Sequence, residues 1–270
     1  DFDEEDSPAN AILDASGDSR VLTVASNAEV RLTNITLKNG LASNGQGGLV
    51  LLKNNSGLAV NGSSVLEGGA ANKGGLIYAN NARIQVSEDS KLRRGEADTA
   101  GGAVYMNGSS TLDFTQASIV NNTSRGKGGG LAMDVQFNGG INIADSYIAN
   151  NDATGENVLA GEGHGGGIYL PNINDGLGAI LEMRNTTVAT NKAQSGRGGA
   201  IYWGQEQDGE NEQLIIINNV TVANNHSASA GSIYIEEGET PEPEENTSVN
   251  IANSVIVGDQ GSQDCGGGAF

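Results

Sequence analysis

A pair of glycines followed by two apolar residues, often with a tyrosine next, recurs along the chain and constrains the fold more than any other feature. The clear copies lie at 74–78, 101–105, 165–169 and 198–202, and weaker copies lie at 47–51, 128–132 and 230–234. The second position of the pair falls at residues 48, 75, 102, 129, 166, 199 and 231, so the first three intervals are 27 residues. Self-similarity at such a period predicts a solenoid of stacked turns.

A second motif alternates with the first and reads apolar-x-Asn-x-x-Val-x-x-Asn. Its clearest copies are residues 183–191 and 217–225. Its last position reads, down the chain, Gly40, Gly68, Gly95, Asn122, Asn151, Asn191, Asn225 and Asp259. Eight copies of this motif are interleaved with seven of the other. We therefore expect a rod of about eight turns.

Short alternating segments show that the repeat is built of strands. Residues 30–32 and 141–143 alternate apolar and polar side chains, which is the pattern of a strand with one buried face. Asn, Gly and Ser punctuate these segments, and no helical spacing survives between them. Glycine is 41 of the 270 residues and aromatic residues are 4%, so we expect thin layers of small aliphatic side chains. The sequence predicts an all-β, single-stranded parallel β-helix with two or three strands per turn.

The recurring spacing also predicts which residues form the corners of each turn. The paired glycines fit a corner that needs a positive φ or a close approach of two backbones. The Asn or Gly at the end of the second motif fits a left-handed corner residue. From Asn122 onward, the stacked amides are expected to hydrogen-bond from turn to turn.

Charge is concentrated in a few segments. The net charge is −19, from 33 acidic and 14 basic residues, and 16 of the acids lie in 1–6, 171–178, 204–213 and 236–247, which contain no base. We divide the chain into an acidic N-terminal tail, residues 1–10, and a β-helix, residues 11–270, with acidic loop insertions in its later turns. Nucleic acid is an unsuitable partner because phosphate binding requires clustered Lys and Arg. No apolar run reaches the length of a transmembrane segment, and the single cysteine, Cys265, excludes a cysteine zinc motif.

The alternation of the two motifs resembles the repeats of polymorphic outer membrane proteins and related bacterial right-handed β-helix surface proteins. Residues 12–24 resemble the first coil of that group, and residues 253–265 resemble its last coil. The resemblance implies a right-handed helix that is secreted, extracellular or on the bacterial cell surface. It also implies anchoring or autotransporter segments, so we expect the chain to be a fragment or processed core of a longer protein.

Some residues resemble parts of carbohydrate-active enzymes. Gly163-His164-Gly165 resembles an element of polygalacturonase-type hydrolases, but the paired aspartates and the Arg-x-Lys clamp of those enzymes are missing. The position of His164 carries Lys73, Lys127 and Arg197 in other turns, which favours a solvated basic column at one corner. The basic run 91–94 is predicted to form a salt-bridged surface. No catalytic residue is assigned.

A row of hydroxyl side chains raises the alternative of a flat, ice-binding face. Its members are Thr36, Ser64, Ser90, Ser118, Thr187 and Thr221. Tyr147 and Val255 interrupt the row, so this reading is disfavoured.

The acidic insertions, residues 171–178, 204–213 and 236–247, are the least ordinary feature. Each begins two residues after a motif tyrosine, so we expect them to stack into one shelf that forms a candidate binding surface. Its acidic members are Asp175, Glu206, Asp208, Glu210, Glu212, Glu236, Glu237, Glu239, Glu242, Glu244 and Glu245. Mutual repulsion would favour calcium, a basic partner or simple solvation. No calcium-loop motif is present, so no cofactor or metal site is assigned and calcium stays open.

Two classes of function follow. The first is an exported, non-catalytic structural or adhesive module that presents its flank and acidic loops to a glycan, a cell or a protein partner. End-to-end or lateral self-association would fit this class. The alternative is a carbohydrate-active enzyme, a polysaccharide lyase or hydrolase, with a groove of converging acids, bases and aromatics. The first is favoured because aromatics suited to sugar stacking are scarce, Trp203 being the only tryptophan.

Overall fold

The computed structural model describes residues 11–157, 163–171, 180–204, 214–236, 248–257 and 265–266. These ranges consist of short strands joined by tight corners, and they contain no helix. It follows that no helix in them is long and apolar enough to cross a membrane.

The strands are two to six residues long. The first seventeen are β1 (Ala11–Asp14), β2 (Leu22–Val24), β3 (Glu29–Thr33), β4 (Ile35–Lys38), β5 (Leu41–Gln46), β6 (Val50–Leu52), β7 (Gly57–Asn61), β8 (Val65–Glu67), β9 (Ala70–Lys73), β10 (Ile77–Asn80), β11 (Arg83–Val86), β12 (Lys91–Arg93), β13 (Glu96–Ala100), β14 (Val104–Asn107), β15 (Thr111–Thr115), β16 (Ser118–Val120) and β17 (Thr123–Ser124). The others are β18 (Leu131–Met133), β19 (Gly140–Ala144), β20 (Tyr147–Ala149), β21 (Asp152–Ala153), β22 (Ile168–Leu170), β23 (Ile180–Arg184), β24 (Thr187–Ala189), β25 (Lys192–Ala193), β26 (Ile201–Trp203), β27 (Leu214–Asn218), β28 (Thr221–Ala223), β29 (His226–Ser227), β30 (Ile233–Ile235), β31 (Ser248–Ala252), β32 (Val255–Val257) and β33 (Cys265–Gly266).

These strands form four parallel sheets, so the predicted parallel β-helix is confirmed. The first sheet has the order β1-β4-β8-β12-β16-β20-β24-β28-β32, and the second β2-β6-β10-β14-β18-β22-β26-β30-β33. The third has the order β3-β7-β11-β15-β19-β23-β27-β31, and the fourth β29-β25-β21-β17-β13-β9-β5. A complete turn visits the third, first, fourth and second sheets in that sequence. The expectation of two or three strands per turn was wrong, because each complete turn also contributes a strand to the fourth sheet, and from β17 onward these strands have only two residues, too few to show an alternating pattern.

The core lies inside the four sheets and consists of stacked apolar rows. Inward positions of the first sheet are Leu37, Leu66, Leu92, Ile119, Ile148, Val188 and Val222, all fully buried. The fourth sheet supplies alanines and serines, which lets it approach the axis closely. The expected absence of aromatics from the core was wrong, since Phe114, Phe137 and Trp203 are fully buried. Alternation specifies which side of a strand is apolar, but it does not specify the size of the side chain.

The paired glycines form one continuous corner, as predicted, and the two members have different tasks. The first has a positive φ, for example +65° at Gly74 and +69° at Gly101. The second packs directly on the next turn, because a Cβ at Gly102 would lie 2.7 Å from both the N and the O of Thr123. Hydrogen bonds run along this corner, such as Gly75 N to Gly101 O at 3.0 Å.

The asparagine ladder, Asn122, Asn151, Asn191 and Asn225, is buried and continuous, as predicted. Each side-chain amide donates to the next one, with Asn122 Nδ2 2.9 Å from Asn151 Oδ1 and Asn151 Nδ2 2.9 Å from Asn191 Oδ1. The assignment of these residues as left-handed was wrong by one position. The positive φ falls on the preceding residue, as at Asn121 (57°) and Asn150 (54°). The left-handed residue turns the chain, so that the next side chain can point inward.

Glycines replace the ladder in the early turns, where leucines fill the space. The ladder position there is held by Gly40, Gly69 and Gly95, so the predicted Gly68 is in fact the left-handed residue, with a φ of 65°. A Cβ at Gly95 would lie 2.7 Å from Cγ of Leu76. In the later turns Gly130 takes the position of Leu76, and a Cβ there would lie 3.3 Å from Cγ of Asn151. Leucine therefore fills this part of the core in the early turns, and asparagine fills it in the later turns.

Candidate functional site

Most of the predicted acidic shelf lies outside the described residues, namely Asp175, Glu206, Asp208, Glu210, Glu212, Glu237, Glu239, Glu242, Glu244 and Glu245. The points where the insertions join the helix are described. Tyr169, Tyr202 and Tyr234 are in register before them, and Ile180, Leu214 and Ser248 are in register after them. All three insertions thus leave the second sheet and enter the third sheet at equivalent places in successive turns.

Beside these junctions, five tyrosines form a row on the outer side of the second sheet. This tyrosine column comprises Tyr78, Tyr105, Tyr169, Tyr202 and Tyr234, and Ala132 interrupts it. Stacked rings have centroids 5.5 Å apart for Tyr78 and Tyr105, 5.2 Å for Tyr169 and Tyr202, and 5.6 Å for Tyr202 and Tyr234. Parallel strands repeat at about this distance, so identical residues in register stack without distortion.

The basic corner, which comprises Lys73, Lys127, His164 and Arg197, lies over the tyrosine column. Lys73 Nζ is 4.4 Å from the centroid of Tyr105 and 2.8 Å from its Oη. Arg197 lies 4.9 Å from the centroid of Tyr234 and donates to its Oη at 2.7 Å. The predicted basic column is present at this corner but is only partly solvated, because each base folds over the tyrosine of the following turn. For Lys73, Lys127 and Arg197, cation–π attraction favours this arrangement, and it is stronger because these groups are partly shielded from water.

Carboxylates complete the column from the other side. Asp134 and Glu236 each follow a strand of the second sheet at the same place in the repeat. Asp134 accepts a hydrogen bond from Tyr105, and Glu236 Oε2 accepts one from Tyr202 Oη at 2.6 Å. Asp134 is also 3.4 Å from Lys73 Nζ. Burial, together with the neighbouring carboxylate, raises the pKa of both Tyr105 and Tyr202, so these phenols stay protonated donors.

His164 is built into this arrangement. Its ring stacks on Tyr202 with centroids 4.4 Å apart, and its Nδ1 accepts a hydrogen bond from the backbone N of Arg197 at 3.0 Å. Burial, together with the charges of Lys127 and Arg197, lowers the pKa of His164 to about 4. The imidazole is therefore neutral at pH 7, and its Nδ1 can accept the hydrogen bond from the backbone of Arg197 in the next turn.

A row of titratable side chains on the fourth sheet escaped the sequence analysis. Register places Asp152, Lys192 and His226 on adjacent strands. Burial raises the pKa of Asp152, while a hydrogen bond from Gln194 and the charge of Lys192 oppose the rise. The signal was present, since each of the three follows a ladder asparagine. It was missed because this position was not recognised as part of a strand.

The first sheet carries the basic run and the hydroxyl row. Arg93 Nε lies 2.7 Å from Glu67 Oε2 and Arg94 Nη1 lies 3.8 Å from it, so the predicted salt-bridged surface is confirmed, although its acid comes from the preceding turn. The predicted hydroxyl row was wrong in two of its members. Ser64 and Ser90 are buried, and the following residues, Val65 and Lys91, occupy the row in their place. The true row reads Thr36, Val65, Lys91, Ser118, Tyr147, Thr187, Thr221 and Val255.

Among the described residues, no group of three or more His, Cys, Asp or Glu side chains could hold a metal ion. Comparison of the chain with protein-family models, curated proteins and solved structures found no match. The function proposed below therefore rests on the geometry and on the repeat.

Proposed function

We propose that this chain is an exported, non-catalytic structural or adhesive module that presents a β-helix flank and acidic loops to a glycan, a cell or a protein partner. The observation that carries the proposal is the pairing of outward side chains between successive turns. Charged and aromatic groups that could serve a reaction are bound to one another along the rod. Such pairing stiffens a solenoid, whose turns contact only their neighbours.

Ion pairs between turns support this view. Those with a carboxylate in an adjacent turn are Lys38–Asp14 at 3.3 Å, Arg83–Asp113 at 3.2 Å, Arg93–Glu67 at 2.7 Å and Arg125–Asp98 at 3.2 Å. Exposed pairs of this kind add little stability one by one. They nevertheless neutralise the body of the rod, which leaves the acidic insertions as its main charged feature.

The tyrosine column supports the same view. Stacking a sugar on an aromatic ring needs a free ring face. Rings in this column stack on neighbouring tyrosines or lie against the basic corner, and Tyr78, Tyr105 and Tyr202 are buried. We infer that these rings serve stiffness and that recognition lies on other surfaces.

Adhesion is tested with the purified chain coated on fluorescent beads. Intact bacteria and cultured epithelial cells serve as targets, with beads coated in a non-binding protein as the baseline. We expect retention of the beads, and competition by soluble chain. Retention no greater than the baseline on every target would contradict an adhesive role.

One observation supports the alternative function, a carbohydrate-active enzyme: the row of Asp152, Lys192 and His226 on adjacent strands. A lyase or hydrolase of this kind would release unsaturated products or reducing ends. We expect no release from polygalacturonate, alginate, xylan or hyaluronan. Release by the native chain that is abolished in Lys192→Met, with Lys53→Met as the matched control, would overturn the non-catalytic proposal.

A further inference from the structure

Tyr147 differs from the other tyrosines of the chain. Of the six tyrosines, five belong to the tyrosine column, while Tyr147 stands on the first sheet, where 41% of it is exposed. Its neighbours in the same row are Ser118 and Thr187, whose side chains are too small to cover an aromatic ring. The phenol therefore rises above a polar surface near the middle of the rod.

One side of this ring lines a shallow, open depression with a volume of about 860 Å³, which we call the tyrosine depression. Its lining includes Asp89, Lys91, Asp145, Tyr147, Asn185 and Thr187. They come from the first sheet and from the corner between the third and first sheets. Ligand clefts commonly have a volume of this order, and this depression is mainly polar, with Ala117 and Tyr147 as its apolar and aromatic members.

Part of the polar rim is held in place before any ligand arrives. Asp145 and Asn185 have positive φ values of 50° and 47°, which direct the corner in successive turns. Asn185 Nδ2 donates to Asp145 Oδ1 at 3.1 Å, and Asn219 Nδ2 donates to Asn185 Oδ1 at 2.6 Å. A pre-ordered rim reduces the entropy that binding would otherwise cost.

We propose that the tyrosine depression is a binding site for a neutral saccharide, with the apolar face of one sugar ring on Tyr147. An exposed aromatic ring amid amide, hydroxyl and carboxylate groups matches a sugar, which has an apolar face and a rim of hydroxyls. The charges favour a neutral ligand over a uronate, because Asp89 and Asp145 outnumber Lys91. This inference rests on the proposed function and names the partner of one flank.

The test measures binding of cellohexaose, xylohexaose, mannohexaose and maltohexaose by calorimetry, with trigalacturonate as the acidic comparator. We expect at least one neutral oligosaccharide to bind, and Tyr147→Thr to weaken it by about tenfold or more. Threonine occupies this row at Thr36, Thr187 and Thr221, so the variant is expected to fold, and its melting curve verifies this. Tyr147→Phe should keep most of the affinity because it keeps the ring.

Thr36→Ala, in the same row but outside the depression, is the matched control and should bind as the native chain does. Binding of none of the neutral sugars, binding of trigalacturonate alone, or unchanged affinity in Tyr147→Thr would each overturn the saccharide site. These results leave the adhesive proposal standing if beads still bind cells. Sugar degradation in the calorimeter samples would instead contradict the non-catalytic proposal, whatever the Tyr147 variants do.

Discussion

At the scale of single residues, neighbouring asparagines in the same corner have opposite roles. Asn150 is left-handed, with a φ of 54°, whereas Asn151 is fully buried. Asn151 Oδ1 accepts from the backbone and side chain of Asn122, and its Nδ2 donates to Ile119 O and Asn191 Oδ1. The Asn150 side chain accepts one exposed hydrogen bond, from Thr190 Oγ1 at 2.7 Å, whereas the four hydrogen bonds of the Asn151 side chain are buried.

The first prediction therefore compares one substitution at both positions. Asn151→Gly leaves several buried polar groups without partners and opens a cavity, so we expect it to lower the free energy of unfolding by about 3 kcal/mol or more. Asn150→Gly places glycine at a positive φ, so its effect should stay within about 0.5 kcal/mol. Urea denaturation measures both. Equal losses in the two variants would contradict the ladder as a source of stability.

The second prediction concerns the buried imidazole of His164. Its folded pKa of about 4 lies below the unfolded value of 6.5, so the unfolded chain takes up a proton first as the pH falls. Stability contributed by the neutral ring is thus intact above about pH 6.5 and is lost progressively towards pH 4. We expect the melting temperature to fall over this window, and to fall less in His164→Asn, whose Oδ1 can accept from Arg197 N.

The difference in melting temperature between the native chain and His164→Asn isolates the titration of His164, because both proteins have the same Lys127, Arg197 and Tyr202 around position 164. The raised pKa of Asp152 acts in the opposite direction but cancels in the comparison. Parallel melting curves between pH 7 and pH 4.5 would show that the histidine does not titrate as described.

At the scale of the secondary-structure element, the glycine corner sets how closely the turns approach. Our third prediction contrasts Gly102→Ala with Gly140→Ala. A Cβ at Gly102 meets backbone atoms of the next turn, with Thr123 N at 2.7 Å, whereas a Cβ at Gly140 has nothing within 4 Å. We expect Gly102→Ala to cost about 3 kcal/mol and Gly140→Ala to be neutral or stabilising by about 0.5 kcal/mol. Thermal and urea unfolding would report both, and similar stabilities would argue against close backbone packing at the corner.

At the scale of the whole molecule, charge is unevenly distributed along the rod. The acidic insertions join the later turns at equivalent places, so their carboxylates are expected to repel one another. Added salt screens repulsion beyond about 8 Å, and a divalent ion would cancel it locally. Our fourth prediction is that calcium or high salt raises the melting temperature by roughly 3 °C.

The matched variant replaces residues 237–247 with the two-residue link Asn81-Ala82, which joins the same two sheets in an earlier turn. Glu236 is retained because it accepts a hydrogen bond from Tyr202. The salt effect should shrink in this variant. Melts with and without millimolar calcium at matched ionic strength separate ion binding from screening. An unchanged melting temperature under all conditions would identify the insertions as simply solvated.

The sequence alone determined the parallel β-helix, the glycine corner and the asparagine ladder, because each follows from a motif repeated in register. It also located the junctions of the acidic insertions, since Tyr169, Tyr202 and Tyr234 mark one place in the repeat. Each copy of a repeated motif gives independent evidence for the same structural position, so a misassigned residue in one copy does not change the predicted fold.

Only the tertiary structure decided which side chains of different turns contact one another. The folding of Lys73 and Arg197 over tyrosines of the following turn depends on side-chain direction, which periodicity does not encode. The row of Asp152, Lys192 and His226, and the isolation of Tyr147, likewise arise from residues far apart in the chain. The repeat specifies the backbone path because that path is the same in every turn. The sites arise where single turns depart from the repeat, and those departures acquire meaning only through their spatial neighbours.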